Sequence, residues 1–114
     1  MPRFPGCEDL VGTQEEKQAC AEQKLLRYIY DRVKFTPLAR ENRIEGLVIL
    51  TFVVDRNGEI KNPEILRDPG GRLGEQVLNA VNSMNALSDP WTPGMQSGRA
   101  VNVRFNLPIR FKLE

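Results

Sequence analysis

The stretch that decides the fold spans residues 44–60 and reads IEGLVILTFVVDRNGEI. Its first part, residues 44–54, is rich in β-branched and aromatic side chains and predicts a strand. Asn57-Gly58 separates this run from a second apolar run and is typical of a hairpin turn. The return strand, residues 59–67, is expected to bulge near Asn62-Pro63, because its apolar positions do not keep one parity.

The last part of the chain alternates strictly between apolar and polar residues over positions 101–113. This period of two predicts a strand with one buried face. Apolar residues at helical spacing predict two helices. The first begins near Glu15 and ends by Phe35, and the second spans residues 73–84.

The elements follow the order α-β-β-α-β and predict an α+β fold. Pro63 and Pro108 each remove a donor from the ladder, which confines their strands to the edges of the sheet or to bulges. The first strand is apolar on both faces and belongs in the centre. We therefore expect a single domain, residues 1–114, with a three-stranded antiparallel sheet of order 2-1-3 and two helices packed on one face.

The composition excludes several kinds of function. Sixteen Lys and Arg residues against fifteen Asp and Glu give a net charge of +1, which leaves no basic footprint for nucleic acid. The chain has no histidine, so it lacks the commonest general base and metal ligand. The sequence predicts a small module that is not an enzyme and uses no metal or cofactor.

The two cysteines, Cys7 and Cys20, lie in a polar segment. Two thiols without histidine do not supply the four ligands of a zinc site, and the spacing is not that of a C-x-x-C redox pair. An even count in a small domain favours a disulfide, which would tie an N-terminal arm, residues 1–21, to the core, residues 22–114. Two unrelated free thiols are the alternative.

Two surfaces of the predicted sheet stand out. The last strand has one free edge, which is either protected by its charges or used to dock an extended peptide as a further strand. The outer face of the central strand carries an apolar row that calls for cover by the arm, a second copy or a partner, unless it is tolerated on the surface. That row is Leu47, Ile49, Thr51 and Val53.

Several stretches resemble TonB C-terminal domains. Residues 35–46, FTPLARENRIEG, are similar to the Y-P-x-x-A-R-x-x-x-I-E-G opening of that family, and residues 48–60 continue with its V-x-V-x-F-x-V-x-x-x-G-x-I. Trp91-Thr92-Pro93-Gly94 and the LPIRF of residues 107–111 resemble its W-x-P-G and L-P-I-x-F close. The chain departs from the pattern in a longer loop, residues 85–90, before the tryptophan.

The resemblance implies the periplasmic domain of a single-pass inner-membrane energy transducer, with its membrane anchor outside these 114 residues. Such a domain binds the TonB box of an outer-membrane transporter by strand addition, and an ExbB–ExbD motor supplies energy from the proton gradient. Carried over onto this chain, the partner-binding edge comprises Asn102, Val103, Arg104, Phe105, Asn106, Leu107 and Ile109. The adjoining loop comprises Trp91, Pro93 and Gly94.

Two other functions remain open from the sequence. TonB-like domains also occur on membrane sensor or antirepressor peptidases and other envelope proteins, where they are interaction modules not coupled to transport. A small secreted inhibitor with a disulfide-tethered arm is the second. A homodimer formed through the apolar outer face is a further expectation.

Overall fold

The computed structural model describes residues 1–87 and 89–113, and it contains the predicted α-β-β-α-β series. The elements are α1 (Gln14–Arg32), α2 (Pro37–Glu41), β1 (Gly46–Val54), β2 (Ile60–Arg67), α3 (Leu73–Ser83), a 3₁₀ turn (Met84–Ala86), β3 (Gly94–Gln96), β4 (Arg99–Val101) and β5 (Val103–Phe111). The short elements α2, β3 and β4 are additions to the predicted series.

Strand β1 lies at the centre of a three-stranded antiparallel sheet of order β2-β1-β5, which confirms the predicted order. It pairs with β5 in unbroken register, from Gly46 opposite Phe111 to Val54 opposite Val103. Nine consecutive pairs without a bulge make this the most regular part of the sheet.

Strand β2 pairs with β1 less regularly. The register shifts once between Ile49 and Leu50 and again between Thr51 and Val53. The second shift lies at the predicted bulge, where Asn62 adopts a left-handed φ of 50°. A bulge leaves a residue unpaired and twists the strand.

The core lies between the sheet and the helices α1 and α3, which cover the same face of the sheet. The side chains of β1 that point toward the helices are fully buried: Val48, Leu50, Phe52 and Val54. They pack against Ala21, Leu25 and Ile29 of α1 and against Leu73, Val77, Ala80 and Val81 of α3. Both helices thus contribute one apolar stripe to a single core, as their spacing predicts.

The helix ends follow local chemistry. Helix α1 begins with a capping box in which Thr13 and Glu16 bond each other's backbone amides. Thr36 caps α2 through its hydroxyl, and Pro37 occupies the first turn, where its missing amide hydrogen costs nothing. This cap explains why the chain forms a short helix between α1 and β1.

The last strand is not continuous over residues 101–113. It is interrupted at Asn102, whose side-chain Oδ1 accepts a hydrogen bond from the amide of Arg56 at 3.0 Å. Since β1 ends at Val54, opposite Val103, the chain before β5 has no partner in β1. It pairs instead with β3, as the short strand β4.

The apolar outer row of β1 is half-buried by neighbouring strands. Thr51 is only 1% exposed, whereas Leu47, Ile49 and Val53 are intermediate. Their partners on β5 are Arg110, Pro108, Asn106 and Arg104. Long polar side chains cover apolar surface with their stems. The N-terminal arm does not cover this row, because its Phe4 belongs to the core on the helix side.

Candidate functional site

The two edges of the sheet differ in regularity. Strand β2 carries two register shifts and Pro63 on one edge. On the other edge, β5 keeps one register with β1 along its whole length. Each of these two strands carries one proline, Pro63 or Pro108, so the difference lies in the register shifts. Bulges blunt an edge against further pairing, whereas a long regular edge accepts another strand. Only the β5 side therefore offers strand-pairing geometry.

Hydrogen bonds from a side chain of helix α1 show which backbone groups of β5 point away from β1. The hydroxyl of Tyr30, on α1, accepts a hydrogen bond from the amide of Arg110 and donates one to its carbonyl oxygen. Arg110 therefore points its backbone away from β1. The N–H and C=O of one residue point to the same side of an antiparallel strand, and the side alternates along the chain. Arg104, Asn106 and Pro108 share the direction of Arg110.

We call the outward-facing backbone of residues 104–108 the β5 edge. It presents the N–H and C=O of Arg104 and Asn106 and the C=O of Pro108. Within residues 1–87 and 89–113, none of these groups has a hydrogen-bond partner. The backbone nitrogen of Pro108 faces away from β1, so the strand loses no hydrogen bond to β1 at this position. A proline therefore fits in an otherwise regular strand.

The β5 edge has a defined limit at each end. At one end, the hydroxyl of Tyr30 is hydrogen-bonded to the amide and the carbonyl of Arg110. At the other end β5 begins at Val103, after the break at Asn102, and Gly94 of the β3–β4 hairpin lies against the side chain of Val103. The free part of the edge is thus about five residues long, or about 17 Å of strand.

A groove of about 280 Å³ runs between α1 and the β5 edge on the helix side. We call it the α1–β5 groove; it is lined by Glu22, Leu25, Leu26 and residues 105–108. Leu25 is buried, whereas Leu26 is 39% exposed and faces solvent in part. Apart from Glu22 and Asn106, the lining is apolar.

Basic side chains follow the β5 edge on the opposite face of the sheet. Arg104 and Arg110 lie there and are exposed. The ion pairs of the described residues join Arg3 to Glu8 and Lys61 to Glu59, so neither arginine has a carboxylate partner within that part of the chain. The two faces beside the β5 edge are therefore chemically different: one is apolar and the other is cationic.

The loop before β3 is anchored by its tryptophan. Trp91 is 3% exposed, and its ring packs edge-on against Phe4, Phe52 and Phe105 at centroid distances of 5.4–5.7 Å. The amide of Trp91 donates to the carbonyl oxygen of Gly58 at 3.1 Å. The longer loop that precedes it therefore still delivers the tryptophan to the core.

The N-terminal arm holds this loop from the other side. Arg3 and Thr92 exchange two backbone hydrogen bonds of 2.9 and 2.8 Å. The predicted disulfide between Cys7 and Cys20 is present and ties the arm to α1. The side chain of Arg3 also pairs with Glu8 at 2.8 Å. That hydrogen bond holds the pKa of Glu8 below its ordinary value.

A comparison with protein families decides the family. The profile described as Gram-negative bacterial TonB protein C-terminal matches residues 31–113, most of the chain. The chain belongs to the family of TonB C-terminal domains. The members of this family are interaction and energy-transducing domains rather than enzymes. No curated protein matches the chain in a sequence comparison.

Solved structures of the TonB family share this fold. The chain is similar to the solution structure of Helicobacter pylori TonB C-terminal domain residues 179–285, with a TM-score of 0.65 and 20% identity over 90% of this chain and 96% of that one. The structure of residues 194–285 of the same protein gives a TM-score of 0.58 and 17% identity over 80% and 91%. At these identities the similarity establishes the fold.

The structure of this TonB C-terminal domain divides the predicted edge residues into two sets. Arg104 and Asn106 point their backbones outward, whereas the predicted apolar members point theirs toward β1 and their side chains toward the helices. The latter are Val103, Phe105, Leu107 and Ile109. The remaining predicted member, Asn102, lies in the break before β5 and bonds the hairpin turn through Arg56.

Sequence reasoning missed three contributors to the β5 edge of this TonB C-terminal domain. Pro108 adds a carbonyl group, Tyr30 closes one end, and Leu26 lines the groove. The period-two pattern already assigned Pro108 to the same side as Arg104, which is the signal that points to it. The part played by the helix α1 depends on how it packs beside β5, and no local pattern carries that information.

Neither metal nor membrane chemistry is indicated by the described residues. Residues 1–87 and 89–113 hold no group of three or more Cys, Asp or Glu side chains arranged to bind a metal ion. Among the helices described, none combines the length and apolar character needed to span a bilayer.

Proposed function

We propose that this domain is the periplasmic part of a TonB-like energy transducer, and that it binds the TonB box of outer-membrane transporters as an added strand on β5. The observation that carries the proposal is the β5 edge, a run of unpaired backbone groups on the one regular side of the sheet. Extended peptides bind such edges mainly through backbone hydrogen bonds, which demand little of the peptide sequence.

The number of available backbone groups indicates a weak, reversible interaction. The β5 edge offers five groups, and each net hydrogen bond contributes about 0.5–1.5 kcal/mol. Association costs roughly 4–15 kcal/mol in lost translational, rotational and conformational freedom. Backbone pairing alone therefore barely offsets the cost of binding, so side-chain contacts beside the edge must supply the remainder. A transducer that releases its transporter after each cycle needs such a balance.

In this role the domain receives its energy from elsewhere. The domain acts in the periplasm, where a disulfide such as Cys7–Cys20 persists because the compartment is oxidising. A membrane helix N-terminal to the domain connects it to an ExbB–ExbD motor in the inner membrane. The domain then needs no cofactor, because it only holds a strand and transmits a pull.

The proposal is tested by titrating the isotope-labelled domain with TonB-box peptides and following the backbone amide shifts. We expect the first and largest shifts at residues 104–107. Asn106→Pro removes an outward N–H without removing a bond to β1, and it should weaken binding by about fivefold or more, the value of one hydrogen bond. Asn106→Ala removes the same side chain but keeps the N–H, and should bind like the wild type.

Two results count against the proposal. Shifts confined to residues 60–67 would move the binding site to the other edge. An absence of any shift with TonB boxes from several transporters would favour an interaction domain of a sensor or antirepressor peptidase that is not coupled to transport.

A further inference from the structure

We propose that the strand bound at the β5 edge alternates acidic and apolar side chains, with the acidic ones beside Arg104 and the apolar ones in the α1–β5 groove. This inference rests on the proposed function, because it specifies the peptide that the same edge takes. It follows from the chemical difference between the two sides of the edge and from the geometry of a strand.

Strand pairing determines the face of the sheet on which each peptide side chain lies. Successive side chains of a strand point to opposite faces of the sheet, and directly opposite residues on paired strands share a face. A peptide residue opposite Arg104 or Asn106 therefore lies on the outer, helix-free face. A peptide residue opposite Phe105 or Leu107 points to the helix side, under α1.

The outer face favours a carboxylate. Arg104 is exposed and lies opposite Val53, whose partner on β2 is Lys61. Lys61 is already paired with Glu59, whereas Arg104 has no carboxylate partner within residues 1–87 and 89–113. An arginine beside a paired strand binds an opposite carboxylate with two parallel hydrogen bonds, and a lysine in that place is repelled.

The helix side favours an aliphatic side chain. The α1–β5 groove is bordered by Leu25 and Leu26 above and by Phe105 and Leu107 below. Because Leu26 and Phe105 are only partly buried, an apolar side chain placed between them removes further apolar surface from water. The carboxylate of Glu22 at the rim disfavours a second carboxylate on this side. The two sides thus reinforce the same alternation.

A set of four peptides tests the pattern. One peptide alternates Glu with Val, the second alternates Lys with Val, the third alternates Thr with Val, and the fourth has the composition of the first in two blocks, Glu then Val. Binding to the oxidised domain is measured at low and high salt, with amide shifts to locate each peptide. We expect the Glu–Val peptide to bind about tenfold more tightly than the Lys–Val peptide, with less difference at high salt.

Two pairs of variants assign the effect to residues. Arg104→Glu should reverse the preference between the Glu–Val and Lys–Val peptides. Arg67→Glu makes the same charge change on the same face, since Arg67 lies opposite Ile49 on the far strand β2, and it should leave the order unchanged. Leu26→Glu should weaken the Glu–Val peptide about fivefold or more, whereas Leu38→Glu, on α2, should not.

The outcomes separate this inference from the proposed function. If all four peptides shift residues 104–107 with affinities within twofold of one another, strand addition stands and the alternation is wrong. If the block peptide binds as tightly as the Glu–Val peptide, charge attracts the peptide without a defined strand register, and the alternation is again wrong. If no peptide, including a TonB box, shifts these residues, both the proposed function and this inference fail.

Discussion

The hydroxyl of Tyr30 bonds both backbone groups of Arg110, at 3.2 Å from the amide nitrogen and 3.4 Å from the carbonyl oxygen. These residues are 80 positions apart in the sequence. The helix α1 thereby occupies the edge of β5 at the point where a longer added strand would continue. A strand added in the proposed way would thus be limited at this end by a helix side chain rather than by the end of β5.

Tyr30→Phe should lengthen the binding site. Loss of the hydroxyl frees the amide and carbonyl of Arg110, so the amide shifts caused by a long peptide should extend from residues 104–107 to Arg110. The free energy of unfolding should fall by only about 1 kcal/mol or less, because the bond is exposed. Tyr28→Phe is the control, since Tyr28 bonds Ser83 away from the edge. An unchanged footprint in Tyr30→Phe would show that Tyr30 does not limit the site.

Reduction of the disulfide should destabilise the domain. A bridge between Cys7 and Cys20 closes a short loop, for which the chain-entropy model gives about 3 kcal/mol. We expect urea unfolding of the wild type to shift by that amount when dithiothreitol is added. The double variant Cys7→Ser, Cys20→Ser should unfold at the same urea concentration as the reduced protein. Its unfolding should not change when dithiothreitol is added. Coincident curves for oxidised and reduced wild type would contradict the prediction.

Gly58→Ala should displace Trp91. Gly58 has a φ of 79°, and a methyl group there would overlap the carbonyl oxygen of Trp91. Gly98 has nearly the same φ, 78°, with no described neighbour within 4 Å of such a methyl group. Both alanine variants lose about 1 kcal/mol from the left-handed backbone. Only Gly58→Ala should lose about 2 kcal/mol more and shift the fluorescence of the single tryptophan. Equal losses would mean that the contact is relieved by the loop.

The contribution of the Arg3–Glu8 hydrogen bond to the free energy of unfolding should depend on pH. The hydrogen bond from Arg3 lowers the pKa of Glu8 below its ordinary 4.5 in the folded protein. The stabilisation is therefore fully present above pH 4.5 and is lost as the pH falls through the lowered value. Because Glu8 is largely exposed, the effect should be only about 0.3 kcal/mol. Unfolding of Glu8→Gln measured between pH 3 and 6 should lack this component, with Asp9→Asn as the charge control. A wild-type pH profile in Glu8→Gln would contradict it.

The parts of the fold that sequence predicts are those fixed by local pattern. The alternation over residues 101–113 placed one face of the last strand in the core, and Asn57-Gly58 placed the hairpin. The irregular parity around Pro63 located the bulge, because a period of two leaves no other way to bury both apolar ends of the strand.

The parts that sequence missed depend on packing between distant segments. The bonds of Tyr30 to Arg110 and of Arg3 to Thr92 join residues that no short motif connects. The break at Asn102 arises because β1 is too short to pair with the whole alternating run. The sequence therefore predicted which strand forms the regular free edge of the sheet, but not the contact of Tyr30 that limits this edge.

The irregular β2 edge limits how far the sheet can grow. If β5 of one molecule paired with β2 of the next, each step would leave another β5 exposed, and the chain of molecules would lengthen into a fibre. The two register shifts and Pro63 leave β2 without the regular edge that β5 of another molecule would need for pairing. Growth then stops after one added strand, or after two molecules pair through β5. The sheet can thus keep one edge open to pairing without extending from molecule to molecule into a fibre.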